Sequence, residues 1–272
     1  MKLMTLNTHS LIEENGEVKR QATAQFIHEN EIDIIALQEV NQTHDAKAIK
    51  PCSKYFGSST IKKDNYANDL VKDLRKLGSS YYWCWFGFKL GYDRYDEGLA
   101  ILSKYPILDI KEIPLSSVSD YNNWKTRKAL GIKVLVNNEM IRIFSVHMGW
   151  WDDADEPFAQ QWQKLDAIIR EKDDLIFLMG DFNASSKVKN ESYDMVMNSN
   201  YYDMYHQATK VKGHDTMLGK IDGWSDKKIK GKRIDYIFTN KEIQAKEMKV
   251  VFTGKEQMIV SDHFGIYLNI DE

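Results

Sequence analysis

The segment Leu175-Ile176-Phe177-Leu178-Met179 followed by Gly180-Asp181-Phe182-Asn183 constrains this chain more than any other. An apolar run bounded by Asp173-Asp174 before and Gly180 after describes a buried strand. Asp181 and Asn183 therefore emerge at its carboxyl end. Side chains two apart on extended backbone share a face. A carboxylate and an amide are thus aimed at one spot just outside a sheet, where ligands of open α/β sheets collect. A lone Asp-x-Asn more often forms a turn, so the argument rests on repetition. Met4-Thr5-Leu6 leads to Asn7, Ile34 to Gln38 leads to Glu39, and Ile141 to Val146 leads to His147. Asp235 is embedded in the strand-like run Arg233 to Phe238, and Ser261-Asp262-His263 precedes a final strand, Phe264 to Ile270. Polar residues at the ends of so many apolar runs describe a site.

Leu37-Gln38-Glu39, Gly180-Asp181-Phe182-Asn183, Arg233-Ile234-Asp235-Tyr236 and Ser261-Asp262-His263 occur in this order across nearly the whole chain. In that order they resemble the endonuclease/exonuclease/phosphatase superfamily of divalent-metal phosphoesterases. The resemblance implies an α/β fold: a four-layer α/β sandwich, two mixed β-sheets packed face to face with helices outside, and the site at one end of the sheets. Within the superfamily, Leu6-Asn7-Thr8-His9-Ser10 with Glu13-Glu14-Asn15, the stretch Gly91 to Gly98, and His147-Met148-Gly149-Trp150-Trp151-Asp152 are similar to the maltose 6'-phosphate phosphatase group.

Composition narrows the function classes. The 272 residues suit one large α/β domain, 1–272, with no linker or repeat dividing it, and the resemblance implies that this domain is catalytic. Lys plus Arg number 37 against 40 Asp plus Glu, a formal charge of -3, which offers no global attraction to a polyphosphate backbone. The one basic run, Lys227 to Arg233, reads as a solvated loop. Nucleic acid is therefore disfavoured as a partner, and no protein partner is evident. No apolar stretch approaches the roughly 18 residues of a membrane span, and Cys52 and Cys84 make no disulfide framework. With residues 2 to 7 already a strand, no signal peptide is read, and the expected location is cytoplasmic.

Local patterns predict helices over residues 17–30, 64–77 and 157–171, and strands over 81–88, 98–103, 129–136 and 140–147. Asn137-Asn138 reads as a hairpin turn. Lys89 to Gly98 reads as a polar loop near the site, with Tyr92, Arg94 and Glu97 as candidate substrate contacts. Trp150 and Trp151, at a strand exit, are candidates for stacking on a sugar ring.

Phosphate ester hydrolysis needs neutralised phosphoryl charge, an oriented water and a route for protons. Magnesium takes oxygen ligands and few protein carboxylates, and manganese accepts the same set. The resemblance implies Glu39 as the direct metal carboxylate, Asn7 as its neighbouring amide and Asp262 as a second acidic neighbour. It implies that Asp181 orients or deprotonates water and that Asn183 bonds the phosphate and nucleophile. His263 contacts the scissile phosphate, with Asp235 fixing its ring, and His147 is a further phosphate donor. Arg127 is a candidate bidentate phosphate clamp, or else an exposed charge leading a strand. The favoured activity is a phosphomonoesterase acting on a phosphorylated sugar such as maltose 6'-phosphate. The alternatives are a sphingomyelinase-like phosphodiesterase, a DNA-repair-type endonuclease, and a non-catalytic binding protein on the same fold.

Overall fold

The computed structural model describes residues 1–117, 120–170, 174–217 and 231–270. In chain order the strands are β1 (Lys2–Asn7), β2 (Ile34–Thr43), β3 (Tyr82–Gly91), β4 (Tyr95–Ser103), β5 (Asp109–Pro114), β6 (Lys128–Val136), β7 (Glu139–His147), β8 (Leu175–Asp181), β9 (Tyr202–Asp203), β10 (Ala208–Lys212), β11 (Asp235–Thr239), β12 (Ala245–Val251) and β13 (Gly265–Asn269). The α-helices are α1 (Gly16–Glu29), α2 (Tyr66–Lys76), α3 (Phe158–Ile169), α4 (Ser192–Asn198) and α5 (Met204–Gln207).

Strands buried on both faces read as unbroken apolar runs, and β1, β2 and β8 are such strands. Leu3, Ile34, Ala36, Phe177 and Met179 fill the core between two sheets. Their alternate neighbours Met4, Leu6, Ile35 and Leu37 pack with residues of α1 and α2, and Ile176 and Leu178 with residues of α3 and α4. The result is the expected four-layer sandwich. One sheet runs β10-β12-β13-β1-β2-β4-β3 and the other β5-β6-β7-β8-β11-β9. Parallel pairs β1–β2 and β7–β8 sit among antiparallel neighbours, so both sheets are mixed. β1 and β8 occupy central positions and end together, which brings Asn7 and Asp181 within reach of each other.

The expected helices appear, α1 shifted by one residue and α2 and α3 slightly shorter at both ends. Asn65 caps α2 by accepting from the Asn68 amide at 3.0 Å, and Gly78, at φ 92°, takes the left-handed turn that ends it. Asn137 and Asn138, at φ 48° and 67°, make the predicted hairpin between β6 and β7.

Lys89 to Gly98 is not a loop. β3 continues to Gly91 and β4 begins at Tyr95, so only a tight turn at Tyr92 and Asp93, both at positive φ, separates them. The pattern breaks because the ladder is irregular there. Register shifts fall between Gly87 and Lys89 on β3 and between Leu37 and Val40 on β2, on either side of Gly98 in β4. A Cβ at Gly98 would stand 2.1 Å from the Phe86 carbonyl oxygen, so the two strands approach this closely only at glycine. Within the basic run, residues 227–230 lie outside the described residues. Its last member, Arg233, is not solvated: it is 2% exposed, pairs with Asp203 at 2.7 Å and lies against the rings of Tyr205 and Tyr236.

Candidate active site

Glu39 sits inside the β2 irregularity at φ 51°, a conformation costly for a residue with a Cβ and common where a bulge re-aims a side chain at a site. Its carboxylate accepts from Asn7 Nδ2 at 2.8 Å, and the same amide group reaches Asp181 Oδ2 at 3.2 Å. Beneath them Gln38 ties the two sheets together. Its Nε2 donates to Ser145 Oγ at 2.9 Å, and Ser145 in turn donates to the Leu37 carbonyl at 2.9 Å. Gly180 makes room for this link: at φ 147°, an added Cβ would lie 2.0 Å from the Val146 oxygen and 2.9 Å from Gln38 Nε2.

Asp181 is the centre of the polar cluster. Its Oδ2 lies 3.6 Å from His147 Nε2 and 3.8 Å from His263 Nε2. Its Oδ1 accepts the Asn183 amide at 2.8 Å, and Asn183 Nδ2 is pinned to the Met148 carbonyl at 2.9 Å. His263 Nδ1 faces both oxygens of Asp235, at 3.0 and 3.2 Å. Asp262 lines the same space as Glu39 and His263, 3.9 Å from His9 Nδ1.

The two histidines carry opposite preferences. Burial opposes charge on His263, but Asp235 and Asp181 outweigh it and hold its pKa well above the ordinary value. Burial, reinforced by Arg127, Lys89 and His263, drives His147 well below it. His263 is therefore an imidazolium and His147 a neutral ring whose Nδ1 is buried without a hydrogen-bond partner. Burial, with Asp235 and Glu39 nearby, pushes Asp181 up to about 7 against the opposing pull of His263.

These groups open into a cavity of about 480 Å³, a size suited to a small ligand. Arg127, Tyr92, Glu97 and Trp150 line it, whereas Arg94 and Trp151 do not. Arg94 is exposed in the hairpin turn, its guanidinium 5.2 Å from the Tyr95 ring. Trp151 packs against the core beneath α3. Glu97 is buried and paired with Lys89 Nζ at 2.8 Å, so its carboxylate is already engaged. Arg127 is buried rather than exposed, and its bonds run to the carbonyls of Met148, Trp124 and Thr126.

The cavity also takes in Lys89, His9, Asn122 and Trp124, to which the sequence assigned no role. His9 belongs to the Asn7 motif and receives its orientation from Glu13 at 2.7 Å. Trp124 is half exposed at the mouth, 5.8 Å from Trp150, and only its position in an Asn-rich polar stretch singles it out.

The donor set fits a hard divalent cation. Glu39 is raised by burial and by the charges of Glu97 and Asp262, a like-charge group that such a cation relieves. Among the described residues, two groups have ligand atoms close enough together to hold an ion: Asp181, Asp235 and His263, and His9, Glu13 and Asp262. In the second, Lys19 already pairs with Glu13, which makes it a charge network.

A cluster of carboxylates and amides, with one charged and one neutral histidine, thus stands at the strand ends of a two-sheet sandwich. The chain belongs to the Endonuclease/Exonuclease/phosphatase family, whose model matches residues 4–263. A family protein from Leptotrichia buccalis is 32% identical, with a TM-score of 0.89 and all of both chains covered. The mannosyl-6-phosphatase of Bacteroides thetaiotaomicron shares the fold at 16% identity and a TM-score of 0.68, again with all of both chains covered. A phospholipase C of Staphylococcus aureus is 26% identical over 156 residues, 54% of this chain and 47% of that protein. The chain thus spans about half the length of the curated relatives it matches.

Proposed function

We propose that the protein is a divalent-metal-dependent phosphomonoesterase acting on a phosphorylated sugar such as maltose 6'-phosphate. The observation that carries this reading is the setting of Asp181: a carboxyl with a pKa of about 7, held between an imidazolium and a neutral imidazole at 3.8 and 3.6 Å. Such a carboxylate can take a proton from an attacking water near neutral pH. Asn183 fixes its orientation and faces the same cavity. As the water oxygen bonds to phosphorus, the bond to the sugar oxygen breaks on the opposite side; that oxygen takes a proton from solvent, and the proton taken up by Asp181 returns to solvent. The His263 Nε2–H, kept charged by Asp235, donates to a phosphoryl oxygen as negative charge builds. His147 and Arg127 supply further donors from the facing wall. A bound Mg²⁺ or Mn²⁺ supplies Lewis-acid neutralisation of phosphoryl charge, with Glu39, Asn7 and Asp262 as the residues that hold it.

Support for a sugar comes from the cavity mouth. Trp124, Trp150 and Tyr92 give it apolar ring faces beside polar groups, a surface that suits a pyranose. The partial likeness to a phospholipase C favours a second reading, a phosphodiesterase of lipid headgroups. Among the described residues, no helix is long and apolar enough to cross a membrane. One assay separates the readings: inorganic phosphate release from maltose 6'-phosphate and other sugar phosphates, phosphocholine release from sphingomyelin, and nicking of abasic DNA. Each is run with Mg²⁺, with Mn²⁺ and with EDTA. Metal-dependent phosphate release concentrated on a phosphorylated sugar is expected. Turnover confined to a diester would overturn the substrate assignment.

A further inference from the structure

Lys89 is a buried ammonium in the wall of the catalytic cavity, and the proposed chemistry leaves it without a role. It reaches that position through the β3 irregularity. The register shift between Gly87 and Lys89 sets Lys89 opposite Glu97, and both side chains line the cavity. Its Nζ contacts Glu97 Oε1 at 2.8 Å and donates to the Trp124 carbonyl at 3.1 Å. An ammonium has three donors, so one N–H remains for a ligand. Its neighbour Arg127 is equally buried, and its guanidinium donates to main-chain carbonyls. Glu97 thus pairs directly with one of two adjacent cations, while Glu39 and Asp181 act on Arg127 without a hydrogen bond to it. Burial and Arg127 together lower the pKa of Lys89, while Glu97 and Glu39 oppose them. A neighbouring anion relieves the repulsion between the two cations.

A phosphomonoester near neutral pH carries close to two negative charges on three terminal oxygens. A diester carries one charge and offers two such oxygens. The third oxygen is the feature that an additional buried cation can read. Resting on the phosphatase reading above, we propose that Lys89 is a specificity-determining residue whose ammonium contacts the dianionic phosphoryl group and makes the site prefer monoesters to diesters. Glu97 is its positioning partner, holding the long side chain in place and keeping its ammonium charged against burial.

The test compares kcat/KM for p-nitrophenyl phosphate and bis(p-nitrophenyl) phosphate, with Mg²⁺ present, in wild type, Lys89→Met, Lys89→Arg and Glu97→Gln. A lost charge-assisted hydrogen bond costs about tenfold or more. Lys89→Met is therefore expected to lower monoester kcat/KM by at least that factor, chiefly through KM, with a much smaller loss on the diester. Lys89→Arg restores most of the preference. Glu97→Gln, which removes the partner that keeps the buried ammonium charged and in place, lowers the monoester preference in the same direction as Lys89→Met. Equal losses on both substrates in Lys89→Met would overturn the proposal and leave Lys89 as a purely structural ion pair. If Lys89→Met does not fold, as judged by its thermal transition, Glu97→Gln decides the matter. An unchanged monoester-to-diester ratio in Glu97→Gln would then overturn the proposal. The phosphatase reading is tested separately, by whether wild type cleaves the monoester at all.

Discussion

Asp96 offers a test of the scaffold under the cavity that is independent of catalysis. It precedes Glu97 on β4, and its carboxylate collects four partners: Lys62 at 2.7 Å, Tyr121 and His44 at 2.5 Å each, and Gln42 at 2.9 Å. These come from β2, from the segments that follow it and precede α2, and from the polar stretch before β6, so one charge ties the hairpin to its surroundings. Burial works against the ionised form, and the four bonds outweigh it, pulling the pKa from 3.8 to about 2. A depressed carboxyl stabilises the fold above its unfolded pKa, and that contribution disappears as pH falls through the folded value. At about 1.4 kcal/mol per unit, the shift corresponds to about 2.5 kcal/mol. His44 is half exposed, so screening reduces the figure to about 2 kcal/mol. Asp96→Asn should therefore be about 2 kcal/mol less stable than wild type at neutral pH in urea denaturation, with an unchanged m-value. The gap should close between about pH 4 and pH 2, where the wild-type carboxyl protonates. A gap below about 0.5 kcal/mol at neutral pH, or one that stays constant as the pH falls, would refute the reasoning.

Other perturbations address the site directly. Asp181→Asn keeps the shape but removes the proton acceptor, and turnover should fall by a factor of about 10³ or more while the thermal midpoint is retained. Near-wild-type turnover would remove Asp181 from the mechanism. Chelation with EDTA should abolish activity, and added Mg²⁺ or Mn²⁺ should restore it; full activity after exhaustive chelation would contradict the cation assignment of Glu39. Gly180→Ala forces a Cβ against the Val146 oxygen and should cost at least about 2 kcal/mol of stability, read by denaturant unfolding. Trp124→Ala should raise KM for a sugar phosphate several-fold, whereas the same change at Trp151, which lies outside the cavity, should act on stability. A KM effect at Trp151 alone would reverse that distinction.

The parts of the fold that are legible in the sequence are those whose burial leaves an unbroken apolar trace. β1, β2, β8 and β11 lie inside the sheets, and their residues are apolar because both faces are covered. β5 and β10 leave no such trace, and both are sheet edges. β10 is exposed at Thr209, Lys210, Val211 and Lys212. An edge strand with one solvated side and charged residues carries no periodic signal, which is also how edges avoid unwanted pairing. The three long helices are legible to within two residues at each end, because α2 and α3 each place an apolar face against a sheet.

The site divides along the same physical line. Asn7, Asp181, Asp235 and His263 are polar residues interrupting or ending apolar strands, and a buried polar residue in such a context needs a partner; those partners prove to be one another. The cavity wall is harder to read because its side chains are aimed by irregular backbone. A strand that keeps its alternation sends Lys89 and Phe88 to opposite faces, and nothing in the residue types says which face is inside. The two register shifts around Gly98 decide it, placing Glu39 from one neighbouring strand and Lys89 from the other in the same cavity. Gly98 is thus the residue through which the carboxylate proposed to bind the cation and the ammonium proposed to read the anion are linked. A side chain there would push β3 from β4 at the Phe86 carbonyl and displace Lys89 before Glu39. Gly98→Ala should accordingly erode the monoester-to-diester preference more than metal affinity, measured as the substrate ratio against the Mg²⁺ concentration giving half-maximal rate. A parallel loss of both would mean that the two strands move as one unit.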